Sequence, residues 1–243
     1  MMNKVLCSLL LFLSISCGLQ GRNANYARDS KRIWLDSKEI HHGEYVWKMK
    51  KAGDVISSAE KVSTLGYDTS DWLSAIVPGT VLNSLVYNKE YPEPYYGVNN
   101  KLESGKIPDI SKVGREFYTY WFRTEFDVPE SFAGKTIWLQ PDGVNYRAEI
   151  WVNGNLLSTL NGMFISDYIN VTDFVKVGRK NILAVKVYPV DVPGTTMPKS
   201  WGATGEFHNG GNGNIGLNTT MLMSVGWDFT FMDGIRDRNT GIW

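Results

Sequence analysis

Cysteine is almost absent from this chain. Its two cysteines, Cys7 and Cys17, both fall in the first seventeen residues. The body of the protein therefore holds neither a disulfide framework nor a zinc site built on thiolates. Histidine is scarce as well. Of the three, His41 and His42 are adjacent, so extended backbone sends their rings to opposite sides, and a surface role fits them better than metal ligation. Charge of one sign is missing too: 25 basic residues balance 25 acidic ones, and no basic stripe marks a face for nucleic acid. No apolar run reaches membrane length, no repeat is evident, and no loop of clustered Asp predicts calcium. Nothing in the sequence asks for a cofactor.

The apolar run that does exist is short. Residues 5–15 follow Lys4 and have the shape of a signal-peptide core. The run ends on Ser14-Ile15-Ser16-Cys17-Gly18, which resembles a bacterial lipoprotein cleavage site with Cys17 as the lipidated first residue. The Ile and Ser before Cys17 depart from the usual smaller, more apolar pattern, and the alternative is an ordinary signal cleaved after Gly18. Residues 1–17 thus read as a signal peptide of lipoprotein type, and residues 18–31 as a polar tether. Residues 32–243 read as the body of an exported protein, in the periplasm or at the outer membrane, touching the membrane only through a lipid anchor.

Aromatic residues are plentiful, with nine Trp and twelve Tyr. They suit either a β-rich core or a surface that stacks on sugar rings. Over residues 116–127, Tyr118, Tyr120, Phe122, Thr124 and Phe126 fall on one face. Thr119, Trp121, Arg123, Glu125 and Asp127 fall on the other, and this period of two predicts a strand. Further strands are predicted over 135–140, 146–152, 156–160, 164–170 and 181–188, with a hairpin at Asn153-Gly154. One short helix is predicted over 80–86, N-capped by Thr80 after Pro78-Gly79. Short strands with turns between them, and no alternation with long helices, predict an all-β jelly-roll sandwich over 32–243.

Several motifs fail on context. Gly211, Gly213 and Gly216 satisfy G-x-G-x-x-G, but "EFHNG" precedes and "LNTTMLMSVGW" follows, so the strand and helix of a dinucleotide site are missing. Those glycines read as a tight loop. No G-x-S-x-G nucleophile elbow occurs. Glycosidic hydrolysis needs two carboxyl groups held at about 5–5.5 Å for a retaining mechanism. None of the 25 acidic residues sits in a context that demands that role. Asn170-Val-Thr and Asn218-Thr-Thr fit glycosylation acceptors, a reading left idle by the bacterial-type signal. "EYPEPYYGVNN", residues 90–100, is a Pro-stiffened loop of aromatics and amides. Asn99 and Asn100 suit either hydroxyl recognition or a turn.

Four stretches occur in order: "VPGTVLNSLVYNKEYPEPYYGVNN", "YWFRTEFDVP", "IWLQPDGVNYRAEIWVNG" and "VGWDFTFMDGIRDRNTGIW". Together they resemble the N-terminal sugar-binding domain of glycoside hydrolase family 2, in the branch of exo-β-glucosaminidases and mannosylglycoprotein β-mannosidases. The resemblance covers residues 33–243. It implies a galactose-binding-like jelly roll acting on β-linked glycans beside a (β/α)₈ barrel that carries both catalytic glutamates. No catalytic residue is therefore expected in this chain, and its partners would be a terminal sugar and a missing or separately encoded barrel. The resemblance further implies that Gly226-Trp227-Asp228-Phe229 reaches toward the sugar pocket. There Asp228 accepts from sugar hydroxyls, Trp227 forms a wall, and Asn99 or Asn100 approaches from the other loop. Phe229 departs from the Trp usual there. Arg236, Asp237, Arg238 and Asn239 read as a charge-paired bend, and Gly241-Ile242-Trp243 as a strand with an open edge. The alternative reading is a stand-alone, lectin-like glycan-binding lipoprotein.

Overall fold

The computed structural model describes residues 32–94, 96–99, 104–108, 113–162, 165–189 and 240–242. The chain divides into a unit Met1–Ile33 and a unit Trp34–Trp243, and the elements all belong to the second. In chain order they are β1 (Trp47–Lys51), α1 (Ala59–Val62), β2 (Leu73–Ser74), β3 (Gly79–Thr80), α2 (Val81–Tyr87), β4 (Tyr120–Asp127), β5 (Trp138–Leu139), β6 (Val144–Asn145), β7 (Arg147–Val152), β8 (Asn155–Asn161), β9 (Ile169–Asn170), β10 (Lys180–Tyr188) and β11 (Gly241–Ile242). A six-stranded antiparallel sheet runs in the order β2-β1-β4-β10-β7-β8. Facing it are a three-stranded sheet, β3-β11-β6, and the pair β5-β9. The result is the all-β sandwich that the strand pattern predicts.

The core explains the alternation. Trp47 and Met49 of β1, Tyr120, Phe122 and Phe126 of β4, and Leu183, Val185 and Val187 of β10 point to one side. They meet Val144, Ile169 and Ile242 from the smaller sheets. Asn153 and Gly154 both take positive φ, +47° and +88°, as a two-residue hairpin turn between twisted strands requires. The Asn153 side chain also receives the Ile182 amide at 2.9 Å and donates to Phe174 O at 2.7 Å, which locks the turn to β10. Buried Asn181 is satisfied from four directions: Asn153 Nδ2 and Lys176 N donate to it, and it donates to Lys176 O and Arg179 O.

Some boundaries differ from expectation. The strand predicted over 116–127 begins only at Tyr120, because Arg115–Tyr118 forms a 3₁₀ turn. The segments 135–140 and 164–170 shrink to the two-residue strands β5 and β9, whose partners are each other rather than a long sheet. Trp47–Lys51 is a strand that its alternation of Trp and Met with lysines did not bring out. The expected open edge at Gly241-Ile242 is closed within the described residues, since β11 pairs with β3 on one side and β6 on the other. Gly241 is required there: a Cβ at this position would lie 2.2 Å from Gly79 O. His41 and His42 are exposed in a turn rather than extended, and their rings meet edge-on with centroids 4.4 Å apart.

The second face of the large sheet is covered as well. Trp121, Trp151 and Ala184 pack against Val62 of α1 and against Trp72. Arg123, on the face of β4 opposite Phe122, is only 3% exposed. Its Nε donates to Val62 O and its Nη2 to Thr64 O, each at 3.0 Å, so the guanidinium closes the carbonyl end of α1. Burial lowers its pKa, and Glu125, 3.5 Å away, partly offsets that.

Candidate functional site

Helix α2 sets the position of the 90–100 loop. Thr80 caps its N-terminus as predicted, its hydroxyl accepting from Asn83 N at 2.9 Å. At the other end Asn88 pairs with the β2 backbone as a strand residue would. Its amide donates to Ser74 O at 2.8 Å and accepts from Ser74 N at 3.2 Å. Lys89 then takes φ +64°, stopping the helix in the left-handed region, and Glu90 N returns to Leu85 O.

Within the loop, Asn99 is 6% exposed and both ends of its side-chain amide are engaged. Nδ2 donates to Glu93 O at 2.9 Å, and Oδ1 accepts from Lys106 Nζ at 2.8 Å. Its backbone amide donates to Tyr96 O, and its carbonyl accepts from Ser104 Oγ. Asn99 is the knot that gathers residues 93–106, while Tyr96 and Val98 beside it stand in solvent. Lys106 was not singled out in the sequence; only the return of the loop brings it to Asn99, and no local motif signals that. Behind the knot, the hydroxyl of fully buried Tyr118 donates to Pro108 O at 2.7 Å, fastening the loop to the start of β4.

Asn100, Trp227 and Asp228 lie outside the described residues, as do Cys17, the glycines 211–216, Phe229 and the run 236–239. The points where the chain departs and returns are described. At the end of β10, Pro189 O receives Arg115 Nη2 at 3.0 Å, next to the 3₁₀ turn that leads into β4. Tyr120 of β4 pairs with Val187 of β10 at this same end. The chain re-enters at Thr240, whose carbonyl accepts the Val81 amide at the start of α2. The 93–108 loop and the segment holding Trp227 and Asp228 are thus both rooted at the end of the sheet where β4 begins. Just inside that end, the Tyr188 hydroxyl donates to Glu149, 2.5 Å away; burial, then this carboxylate, raises the phenol's pKa. Among the described residues no group of three or more His, Cys, Asp or Glu is arranged to hold a metal ion. No helix among them is long and apolar enough to cross a membrane.

Comparison with known proteins agrees with this architecture. The mannosylglycoprotein endo-β-mannosidase of Lilium longiflorum is 41% identical over 175 residues, 72% of this chain and 17% of that protein. The exo-β-D-glucosaminidase of Amycolatopsis orientalis is 29% identical over 149 residues, 60% of this chain and 13% of that one. The crystal structure of the Amycolatopsis orientalis exo-chitosanase superposes with a TM-score of 0.51 at 28% identity, covering 61% of this chain and 16% of that one. The chain therefore spans less than a fifth of the relatives it matches. Residues 47–243 match the model of the glycosyl hydrolase 2 galactose-binding domain-like family, and the chain belongs to that family.

Proposed function

We propose that this chain is the carbohydrate-binding and scaffold domain of a family 2 exo-β-glycosidase of glucosaminidase or mannosidase type, acting on β-linked glycans. It would shape the pocket for the terminal sugar while the catalytic glutamates come from a barrel outside these 243 residues. The observation that carries this reading is the family match over residues 47–243. The common rooting of the 93–108 loop and the 190–239 segment supports it, since a pocket built from two loops needs both at one end of the scaffold. In this reading Asp228 and Trp227 meet the sugar. Asn99 holds the loop, because its amide is already bound to Glu93 and Lys106, and the pocket contact is assigned to Asn100. A half-pocket on one domain buries too little of a monosaccharide to hold it tightly.

The test is hydrolysis of nitrophenyl β-glucosaminide, mannoside, galactoside and glucuronide by the purified chain, alone and with a barrel encoded beside it. Silence alone with activity on mixing is the expected result. Activity of the chain alone would place catalytic carboxylates within it and overturn the reading. In the reconstituted enzyme, Asp228→Asn should lower kcat/KM, whereas Asn99→Ala should act mainly through loop order. We also infer export, with Cys17 as a lipid anchor at the outer membrane; mass spectrometry of the mature N-terminus decides between that and cleavage after Gly18.

A further inference from the structure

The described part of the 93–108 loop belongs to no strand or α-helix, so its order rests on a few directed contacts. Two turns are closed by backbone bonds, Tyr96 N to Glu93 O and Asn99 N to Tyr96 O, each at 3.2 Å. The buried side chain of Asn99 reaches back across both turns to Glu93. Which way its amide faces is decided by the two neighbours. Glu93 O can only accept, so it takes Nδ2 at 2.9 Å. The Lys106 ammonium can only donate, so it takes Oδ1 at 2.8 Å. A flipped amide would set donor against donor and acceptor against acceptor.

Lys106 is committed to this contact. It is exposed, and its ammonium has no carboxylate partner among the described residues. Its backbone is placed by Ser104, whose hydroxyl donates to Asn99 O at 3.1 Å and accepts from Lys106 N at 3.3 Å. The chain just after it is anchored by buried Ile107 and by Pro108 O, which receives the Tyr118 hydroxyl. The lysine therefore reaches from a fixed root across the loop to the residue before Asn100. We propose that Lys106 is a positioning residue of the sugar pocket, which through Asn99 sets the loop before any sugar arrives. Such pre-setting raises affinity by raising the fraction of molecules already competent to bind. The inference rests on the carbohydrate-binding reading, in which Asn100 supplies the contact and Lys106 touches no sugar.

Two measurements decide it. The first is hydrogen exchange of the full chain, followed by mass spectrometry. Peptides from residues 93–106 should exchange about tenfold faster in Lys106→Met, the worth of one charge-assisted hydrogen bond at the low end of its range. Peptides from β4 and β10 should be unchanged, and Lys106→Arg should restore protection. In an Asn99→Ala background, Lys106→Met should have no further effect. The second measurement uses the enzyme reconstituted with its barrel. There Lys106→Met should raise KM about tenfold at unchanged kcat and melting temperature, and Lys106→Arg should recover it. A lysine with a structural role alone would speed exchange and leave KM where it was. Unchanged exchange in Lys106→Met, or faster exchange with an unchanged KM, overturns the proposal and leaves the domain's assignment standing. A wild-type chain that stays silent with its barrel overturns the assignment, and this inference with it.

Discussion

Two neighbours on one strand look in opposite directions. Phe122 enters the core between the sheets, a cluster to which β1, β4, β7 and β10 and the smaller sheets all contribute. Trp121 turns to the outer face, where its cover is one turn of helix, Val62 and Trp72. The polar groups of the inner face are few and are met by nearby backbone: the Thr124 hydroxyl donates to Val46 O at 2.9 Å, and the Trp47 indole to Leu35 O. The outer face buries an arginine and supplies its acceptors from the covering segment, at Val62 O and Thr64 O. Cross-strand register makes this possible. Ala184 pairs with both Arg123 and Trp151, and its small side chain leaves room between the two large ones. One row further, Lys186 lies between Trp121 and Glu149 and holds its ammonium 5.7 Å from the Trp121 ring centre. The inner core is thus held by volume, and the outer layer by a few directed contacts from a segment with little secondary structure of its own.

That contrast is breakable from either side. Phe122→Ala should cost the most, about 4 kcal/mol in urea unfolding, because sheets on both sides limit how far the cavity can collapse. Trp121→Ala removes a larger side chain but should cost less, about 3 kcal/mol, since the 52–72 segment can settle onto the sheet. If Trp121→Ala proves the costlier, the outer layer is as rigid as the core and the contrast fails. Arg123→Met keeps most of the packing and removes the donors to α1, for about 2 kcal/mol. Its sharper signature is hydrogen exchange: amides of residues 59–64 should lose protection while those of β4 and β10 keep theirs. The smallest effect belongs to Lys186→Met, about 0.5 kcal/mol, the worth of an exposed cation–π contact.

How much of this was legible beforehand follows the range of the forces. The Asn153-Gly154 turn, the Thr80 cap and the inward face of β4 are local, and each lies where the residue pattern puts it. The short strands β5 and β9 were over-extended because alternation alone does not say where a partner strand ends. Arg123 falls on the face opposite Phe122, and nothing within a few positions reveals that residues 62 and 64 return to cover it. The same holds for the site. Asn99 stood out as an amide in an aromatic loop, but its commitment to Glu93 and Lys106 appears only once the loop closes.

The sequence by itself determined the strand periods, the turn and cap chemistry, the scarcity of thiols and the ordered set of stretches that marks the family. These are properties of neighbours along the chain, where side-chain volume, φ preference and hydrogen-bonding groups act over a few residues. Only the tertiary structure decided that both faces of the main sheet are buried and that β11 is paired on each side. Those outcomes depend on which groups meet across tens of residues, and the sheet register that brings them together is a property of the whole fold.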